Sequence, residues 1–436
     1  MWWRKLIILP LLFLLLLGRA EAKEIDQAEL NLATALISMS SYSAELNVLA
    51  REWLEDLGWL IDTHEYATAL ADGRVHILAR QFPDGEQVYV LAFPGTERKQ
   101  DAVVDLRVTR VPFGGTTPAE FNAVAADVEH KSGANPLVHK GFHDYTQAAL
   151  FSEKLPDFGN LTLGEVIARD LRANPAYTLY LTGHSLGGAA ATLAAARLAD
   201  MGVSPQQLRV ITFGAPAVGN TAFARGYENR MQLTRITMEG DPVKAALQSL
   251  SGSYAQFGEK VVWSSHLERF PHDMTLYLDE ALRHYYQERQ GNVEMPSLVS
   301  GTAEQAKGLV YVAPLQFDLS DMLAVDKPYM QQVVQGILRA SYQPLVFGQD
   351  GEDSFQAAHQ QGAKFVLFER FRGARIKNEK ANFRLVLEEE IYDGEGTLLT
   401  FQSYSMTTSI LTPLEAVGYL TMKADDAREM LLTGKK

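Results

Sequence analysis

The order of apolar and polar residues divides the chain into stretches of different period. Between Ile25 and Ile61, Leu30, Ala33, Leu36 and Ile37, then Leu46, Leu49, Trp53 and Leu57, recur at helical spacing, which predicts one or two amphipathic helices. The period then becomes that of strands. Val75–Leu78 and Val88–Phe93 are β-rich runs separated by Pro83-Asp84-Gly85, the signature of a hairpin. From Thr162 onward the two periods alternate: helices at Leu163–Ala173 and Leu186–Met201, strands at Tyr177–Thr182, Leu208–Phe213 and Leu233–Met238, and a closing helix at Met274–Tyr286. Such alternation predicts βαβ units and a mostly parallel sheet with helices on both faces.

Periodicity fails between Gln290 and Lys307, where Pro296, Ser297, Ser300 and Gly301 collect, and a domain boundary is placed there. Beyond it, strands are predicted at Leu309–Val312, Lys364–Phe371, Phe383–Ile391 and Leu398–Tyr404. Helices are predicted at Tyr329–Tyr342 and Leu414–Leu432. The run Glu388–Glu390 reads as a solvated strand end. The expected organisation is a leader over 1–22, an α/β domain over 23–295 and a small α+β domain over 308–436.

The leader is read from Arg4 and Lys5, the apolar run Leu6–Leu17 and the small residues of Ala20-Glu21-Ala22. This is the pattern of a secretory signal peptide, with the mature chain starting near Lys23. The run is interrupted by Pro10 and is shorter than the roughly 20 residues that a transmembrane helix needs. Cysteine is absent, which removes disulfides, lipidated cysteine and thiolate metal sites. Export without disulfides points to a bacterial periplasm or the extracellular medium. A net charge of −13 excludes the basic footprint of a nucleic-acid binder.

Candidate chemistry centres on Gly183-His184-Ser185-Leu186-Gly187-Gly188, a G-x-S-x-G sequence between a predicted strand and an alanine-rich predicted helix. In that context it is the nucleophile elbow of an α/β-hydrolase, an α/β class with a mostly parallel sheet. A tight turn holds the Ser185 hydroxyl above the sheet edge, small neighbours let strand and helix nearly touch, and the helix N-terminus supplies N–H donors. An acid and then a histidine should come later in the chain. Asp241, just past the strand Leu233–Met238, is the candidate acid, with Glu239 its competitor. His272, in a loop turning into a helix behind Pro271, is the candidate base, with His266 the alternative; His284 lies inside a helix and His359 in the second domain.

Several short blocks, in one order between about residues 30 and 285, resemble the class 3 lipases, a triacylglycerol lipase family. Phe93-Pro94-Gly95-Thr96 with Asp105-Leu106 is similar to that family's oxyanion segment, and Val138-His139-Lys140-Gly141-Phe142 with Tyr145 to its V-H-x-G-F block. Thr212-Phe213-Gly214-Ala215-Pro216 with Val218-Gly219-Asn220 resembles its T-F-G-x-P-x-V-G-N turn. Asp241-Pro242-Val243 resembles its acid, and His272 with Tyr277 its H-x-x-x-x-Y histidine. The resemblance implies that Ser185 is the nucleophile, Asp241 the acid, His272 the base, and Thr96 with Leu186 the oxyanion hole. It makes His139 structural.

Pro94, Val104 and Gln256 depart from the arginine, tryptophan and histidine common in the family. The implied reaction is hydrolysis of acyl esters of lipids, with no metal or cofactor. No H-E-x-x-H, EF-hand or nucleotide-binding loop stands in the sequence. Residues Arg107–Leu137 are the expected lid region, with Gly114-Gly115 as hinges and a plain surface loop as the alternative. The partner expected is a lipid or ester substrate, with no nucleic acid and an envelope partner for the C-terminal domain. The alternatives to hydrolysis are an inactive scaffold that binds in the cell envelope and an acyltransferase using the same three groups.

Overall fold

The computed structural model describes residues 27–434, apart from 41, 43, 57, 71, 82–86, 96–108, 128, 130, 244–253, 289–302 and 377–381. The expected leader, the hairpin turn Pro83–Gly85 and most of the expected boundary stretch therefore lie outside the described residues. Packing divides the chain into two compact units. One is Met1–Tyr42 with Trp59–Trp263, and the other is Ser43–Gly58 with Ser264–Lys436. The division falls at 263/264, upstream of the stretch where periodicity fails.

The N-terminal region forms helices α1 (Gln27–Met39) and α2 (Ala44–Asp56). The first unit continues with β1 (Leu60–Ala67), β2 (Asp72–Gln81) and β3 (Gln87–Phe93), then the short pair β4 (Arg110–Pro112) and β5 (Leu137–His139). The remaining strands of the large sheet are β6 (Tyr177–His184), β7 (Leu208–Phe213), β8 (Gln232–Met238) and β9 (Glu259–Trp263). The helices are α3 (Pro118–Ala126), α4 (Lys140–Gln147), α5 (Leu163–Ala173), α6 (Leu186–Asp200) and α7 (Thr221–Tyr227).

A seven-stranded sheet runs in the order β1-β2-β3-β6-β7-β8-β9. The β1/β2 and β2/β3 pairings are antiparallel and the rest parallel, so the sheet is mixed, with an antiparallel edge on a parallel body. With helices packed on it, this is an α/β-hydrolase-like architecture. β1 was not foreseen: its residues alternate between exposed and buried without a strong apolar run.

Both faces of β6 are covered, so Leu179, Tyr180 and Leu181 are all buried. On α6 nearly every position is buried, and its alanines allow the helix to lie close to the strands. α1 packs on β6 and β3. Ser38 Oγ lies 3.3 Å from Thr182 Oγ1, and the buried Glu29 carboxylate pairs with Arg80 of β2. Thr162 and Glu165 close a capping box that starts α5 at the predicted residue.

The described part of the expected lid region contains β4, a turn at Gly115 and the helix α3. Phe121 of α3 is fully buried, edge-on to Phe151 at 5.3 Å, and the Arg197 guanidinium lies 4.1 Å from its ring. Arg197 also stacks 3.6 Å over Phe113 and donates to the Gly114 carbonyl at 2.7 Å. At Gly115, φ is +95°, and the Glu120 carboxylate accepts from both Thr116 N (2.7 Å) and Thr116 Oγ1 (2.8 Å). Within this stretch, Phe121 and Phe113 pack on the buried Arg197.

The second unit has β10 (Glu304–Val312), β11 (Gln316–Leu319), β12 (Tyr342–Phe347), β13 (Phe365–Arg375), β14 (Phe383–Asp393) and β15 (Leu398–Thr408). Their order is β12-β10-β13-β14-β15, with β11 also on β13. Its later helices are α8 (Met274–Glu288), α9 (Lys327–Ser341), α10 (Ser354–Gln360), α11 (Pro413–Lys423) and α12 (Asp425–Leu432). α2 belongs here because it packs on α9 and α11.

Two expectations change. The single helix predicted over 414–432 is broken at Ala424 into α11 and α12. The run Glu388–Glu390 is not a solvated strand end, because β14 continues to Asp393 and Glu389 is fully buried. Arg428 explains both. Its guanidinium, also fully buried, lies 3.0 Å from Glu369 and 3.3 Å from Glu389, and burial raises both carboxyls above their ordinary range.

Glu415 of α11 is buried and its carboxylate accepts from Thr412 N at 2.7 Å. Burial pushes its pKa from the ordinary 4.5 up to about 8, against the lowering by that hydrogen bond. With the folded pKa raised, the proton on Glu415 favours the folded chain at low pH. That stability is lost as pH rises from the unfolded to the folded pKa. Glu415→Gln, which keeps an acceptor without the charge, should reduce the fall in urea-unfolding free energy between pH 5 and 8 by about 1 kcal/mol or more. Equal falls in parent and variant would remove Glu415 from the account.

Candidate active site

The strand–turn–helix around Ser185 is built as its sequence predicts. Ser185 caps α6 with φ +56° and ψ −120°, and Asn160 is the only other non-glycine residue with positive φ among the described residues. Such a conformation is costly for an L-residue with a side chain and persists only where surroundings fix it. Ser185 N donates to Phe213 O at 2.9 Å and Ser185 O accepts from Ala189 N at 3.1 Å, so strand β7 and the first turn of α6 hold both sides of the serine. A side-chain carbon on Gly183 would fall 2.3 Å from the Gly187 carbonyl carbon. One on Gly187 would fall 2.1 Å from the Phe93 carbonyl oxygen. Leu186 is the first residue of α6, where backbone N–H groups have no partner within the helix.

Asp241 sits just beyond the C-terminal end of β8. Strand β8 is parallel to β7, which is parallel to β6, so Ser185 and Asp241 share one edge of the sheet. Asp241 is 1 % exposed, its N–H closes a turn onto Met238 O at 3.1 Å, and its Oδ1 accepts from Val243 N at 2.8 Å. Its competitor Glu239 is exposed.

His272 is buried in the turn that enters α8, within the second unit. His266 is partly exposed, with Nε2 3.4 Å from Asp326 Oδ1. That aspartate also accepts from Arg283 Nη2 at 2.6 Å. His284 lies within α8 and His359 is exposed at the end of α10. Thr96 lies outside the described residues.

The remaining blocks set the walls. His139 is a buried N-cap for α4: its Nδ1 accepts from Phe142 N at 3.4 Å and its ring lies 4.2 Å from Phe142. Tyr145 Oη donates to Pro94 O at 3.1 Å, tying α4 to the segment that leads into Thr96. Asn220 caps α7 and its Oδ1 also accepts from Leu137 N at 3.0 Å, stapling β5 to the turn after β7. Gln256, where histidine is common in the family, donates to Ala215 O at 3.4 Å. Sequence reasoning did not find Tyr42, whose hydroxyl lies 2.5 Å from Nδ1 of His184, beside the serine. The pair is separated by 142 positions, and no local pattern announces it.

A strained serine at a helix head thus shares one sheet edge with a buried aspartate just past a strand end. The family model for lipase (class 3) matches residues 90–248, which include the elbow, the V-H-x-G-F block and Asp241 but stop before His272. Across that segment the chain is similar to the class 3 lipases. It is 31 % identical over 180 residues to a lipase of Rhizopus niveus, a match covering 41 % of this chain and 37 % of that protein. It is 30 % identical over 214 residues to the secreted mono- and diacylglycerol lipase 2 of Gibberella zeae, covering 44 % and 47 %. A phospholipase A1-II 3 of rice is 27 % identical over 203 residues, covering 44 % and 43 %. The chain thus spans less than half the length of these relatives. The solved lipase II of Rhizopus niveus aligns over 56 % of this chain and 83 % of that one, at 24 % identity and a TM-score of 0.40.

The Gly187 contact yields a direct test. Gly187→Ala should destabilise the protein by about 3 kcal/mol, because the clashing atom is backbone and cannot swing away. Chemical denaturation would measure it, and a change within about 0.5 kcal/mol would mean that the elbow is looser than described.

Proposed function

We propose that this protein is a serine ester hydrolase that cleaves acyl esters of lipids through an acyl-enzyme on Ser185. The observation that carries this reading is the positive-φ elbow at Ser185, with the buried Asp241 on the same sheet edge. The class 3 lipase match and relatives that are a lipase, a mono- and diacylglycerol lipase and a phospholipase A1 support it.

In this mechanism His272 takes the Ser185 proton as Oγ attacks the ester carbonyl, and Asp241 fixes the imidazole and stabilises its charged form. The oxyanion is held by the N–H groups of Leu186 and Thr96, each such donor typically contributing about 10²–10³ in rate. The alcohol leaves with a proton from His272. Water, deprotonated by the same imidazole, then releases the acid and restores the serine. His272 enters on its H-x-x-x-x-Y pattern with Tyr277, and the engagement of His266 with Asp326 favours His272 over it.

Export to the periplasm or the extracellular medium, from a bacterial cell, accompanies this reading. It rests on the pattern of residues 1–22 and on the absence of cysteine, and one of the relatives is described as secreted. Among the described residues no helix is long and apolar enough to cross a membrane.

The test is hydrolysis of aryl esters of increasing acyl length by the purified chain. Ser185→Ala and His272→Ala should each lower kcat/KM by about 10³ or more, and His266→Ala should leave it within a few-fold. Loss on His266→Ala with retention on His272→Ala would reassign the base. A folded parent inert on aryl, emulsified and phospholipid esters would sink the reading.

A further inference from the structure

Tyr42 stands where the two strand ends that frame the nucleophile come together, within the first unit. Helix α1 lies on β6 and β3, and just past its end the Tyr42 N–H closes a turn onto Met39 O at 3.0 Å. β3 and β6 are parallel, with Phe93 paired to Gly183. Gly95, which follows the one, and His184, which ends the other, therefore leave the sheet at the same edge. The Tyr42 hydroxyl lies 2.5 Å from His184 Nδ1, and the two rings stand edge-on with centroids 5.6 Å apart. The same hydroxyl touches the other strand's exit. A side-chain carbon on Gly95 would fall 2.1 Å from it and 2.9 Å from the His184 carbonyl oxygen.

Position 95 can hold nothing larger than glycine while a tyrosine hydroxyl occupies that space. The contact joins two neighbours of the chemistry: His184 precedes Ser185, and Gly95 precedes Thr96, an oxyanion donor in the mechanism above. Such a donor works only within about 2.7–3.1 Å of the place where the negative charge develops, and a misplacement of about 1 Å costs on the order of 10² in rate. Phenylalanine would fill almost the same volume as Tyr42. What the hydroxyl adds is a bond and a fixed spacing. Tyr145 Oη of α4 donates to Pro94 O at 3.1 Å, so the two residues ahead of Thr96 are each held by a tyrosine.

We propose that Tyr42 is a positioning residue: its hydroxyl, bonded to His184 and seated against Gly95, sets the spacing between the nucleophile and the backbone that leads into the oxyanion donor. It acts through those two residues and does not touch the ester. This rests on the hydrolase reading above and deepens it by assigning the group that holds the attacking side and the oxyanion side in register.

The experiment measures kcat and KM of Tyr42→Phe on the aryl-ester series, per active site counted by stoichiometric titration with an aryl phosphonate, so that any loss of folded enzyme drops out. Tyr42→Phe should lower kcat and kcat/KM equally, by about 10- to 100-fold at every acyl length, the pattern of an interaction felt only in the transition state. Gly95→Ala supplies a second arm. In the parent its methyl group meets the Tyr42 hydroxyl; in the Tyr42→Phe background that obstruction is gone, so Gly95→Ala should cost about tenfold less there. Parental kcat per site in Tyr42→Phe overturns the positioning role, and so does additive loss in the double variant. A KM that changes with acyl length overturns it too, because Tyr42 would then belong to the acyl groove. A folded parent with no turnover of any ester overturns the hydrolase reading and the positioning role with it.

Discussion

Everything around the nucleophile depends on how closely three pieces of backbone approach one another: the end of β3, the end of β6 and the first turn of α6. Gly183, Gly187 and the Phe93 carbonyl lie so near that a single methyl group would not fit between them. That contact forces the turn at Ser185 into positive φ, and the hydrogen bonds linking it to Phe213 and Ala189 keep it there. The strain is local, while the support is distributed: the alanine face of α6, the buried rows of β6 and β7, and α1 covering the sheet. A bulkier helix could not lie so low, and the serine would then be buried behind it or lost into a loop.

The elements nearest the nucleophile were legible because parallel strands buried on both faces are continuous apolar runs and the helices between them keep a strict period. Leu163–Ala173 and Leu208–Phe213 coincide with their predicted limits. The elements that escaped were either half-exposed or held by distant partners. β1 and β9 carry exposed and charged positions that dilute the strand signal. The break at Ala424 is invisible in a sequence whose apolar period runs through it, because its companion is Arg428, a cation facing inward to glutamates on β13 and β14. A run of three glutamates looks solvated unless the arginine opposite its middle member is known.

The candidate site divides in the same way. Ser185, Leu186 and Asp241 could be named from their places at or just past a strand end, a relation that the chain writes locally. Of the two carboxylates that sequence left as competitors, Asp241 is buried and Glu239 exposed. Tyr42 beside His184, and Glu153 beside the β1/β2 hairpin, join parts of the chain far apart in sequence, so only the folded chain gathers them.

The second unit is discontinuous in sequence: it takes Ser43–Gly58 from before the large sheet and everything else from after it. During synthesis α2 emerges more than 250 residues ahead of α9, and α11 comes later still, although these are the helices it packs against. For that interval an amphipathic helix stands without its cover, a hydrophobic surface open to a chaperone or to a neighbouring chain. A chain shortened to residue 263 would keep that exposed helix permanently, so the large sheet cannot be isolated cleanly by cutting at a single point.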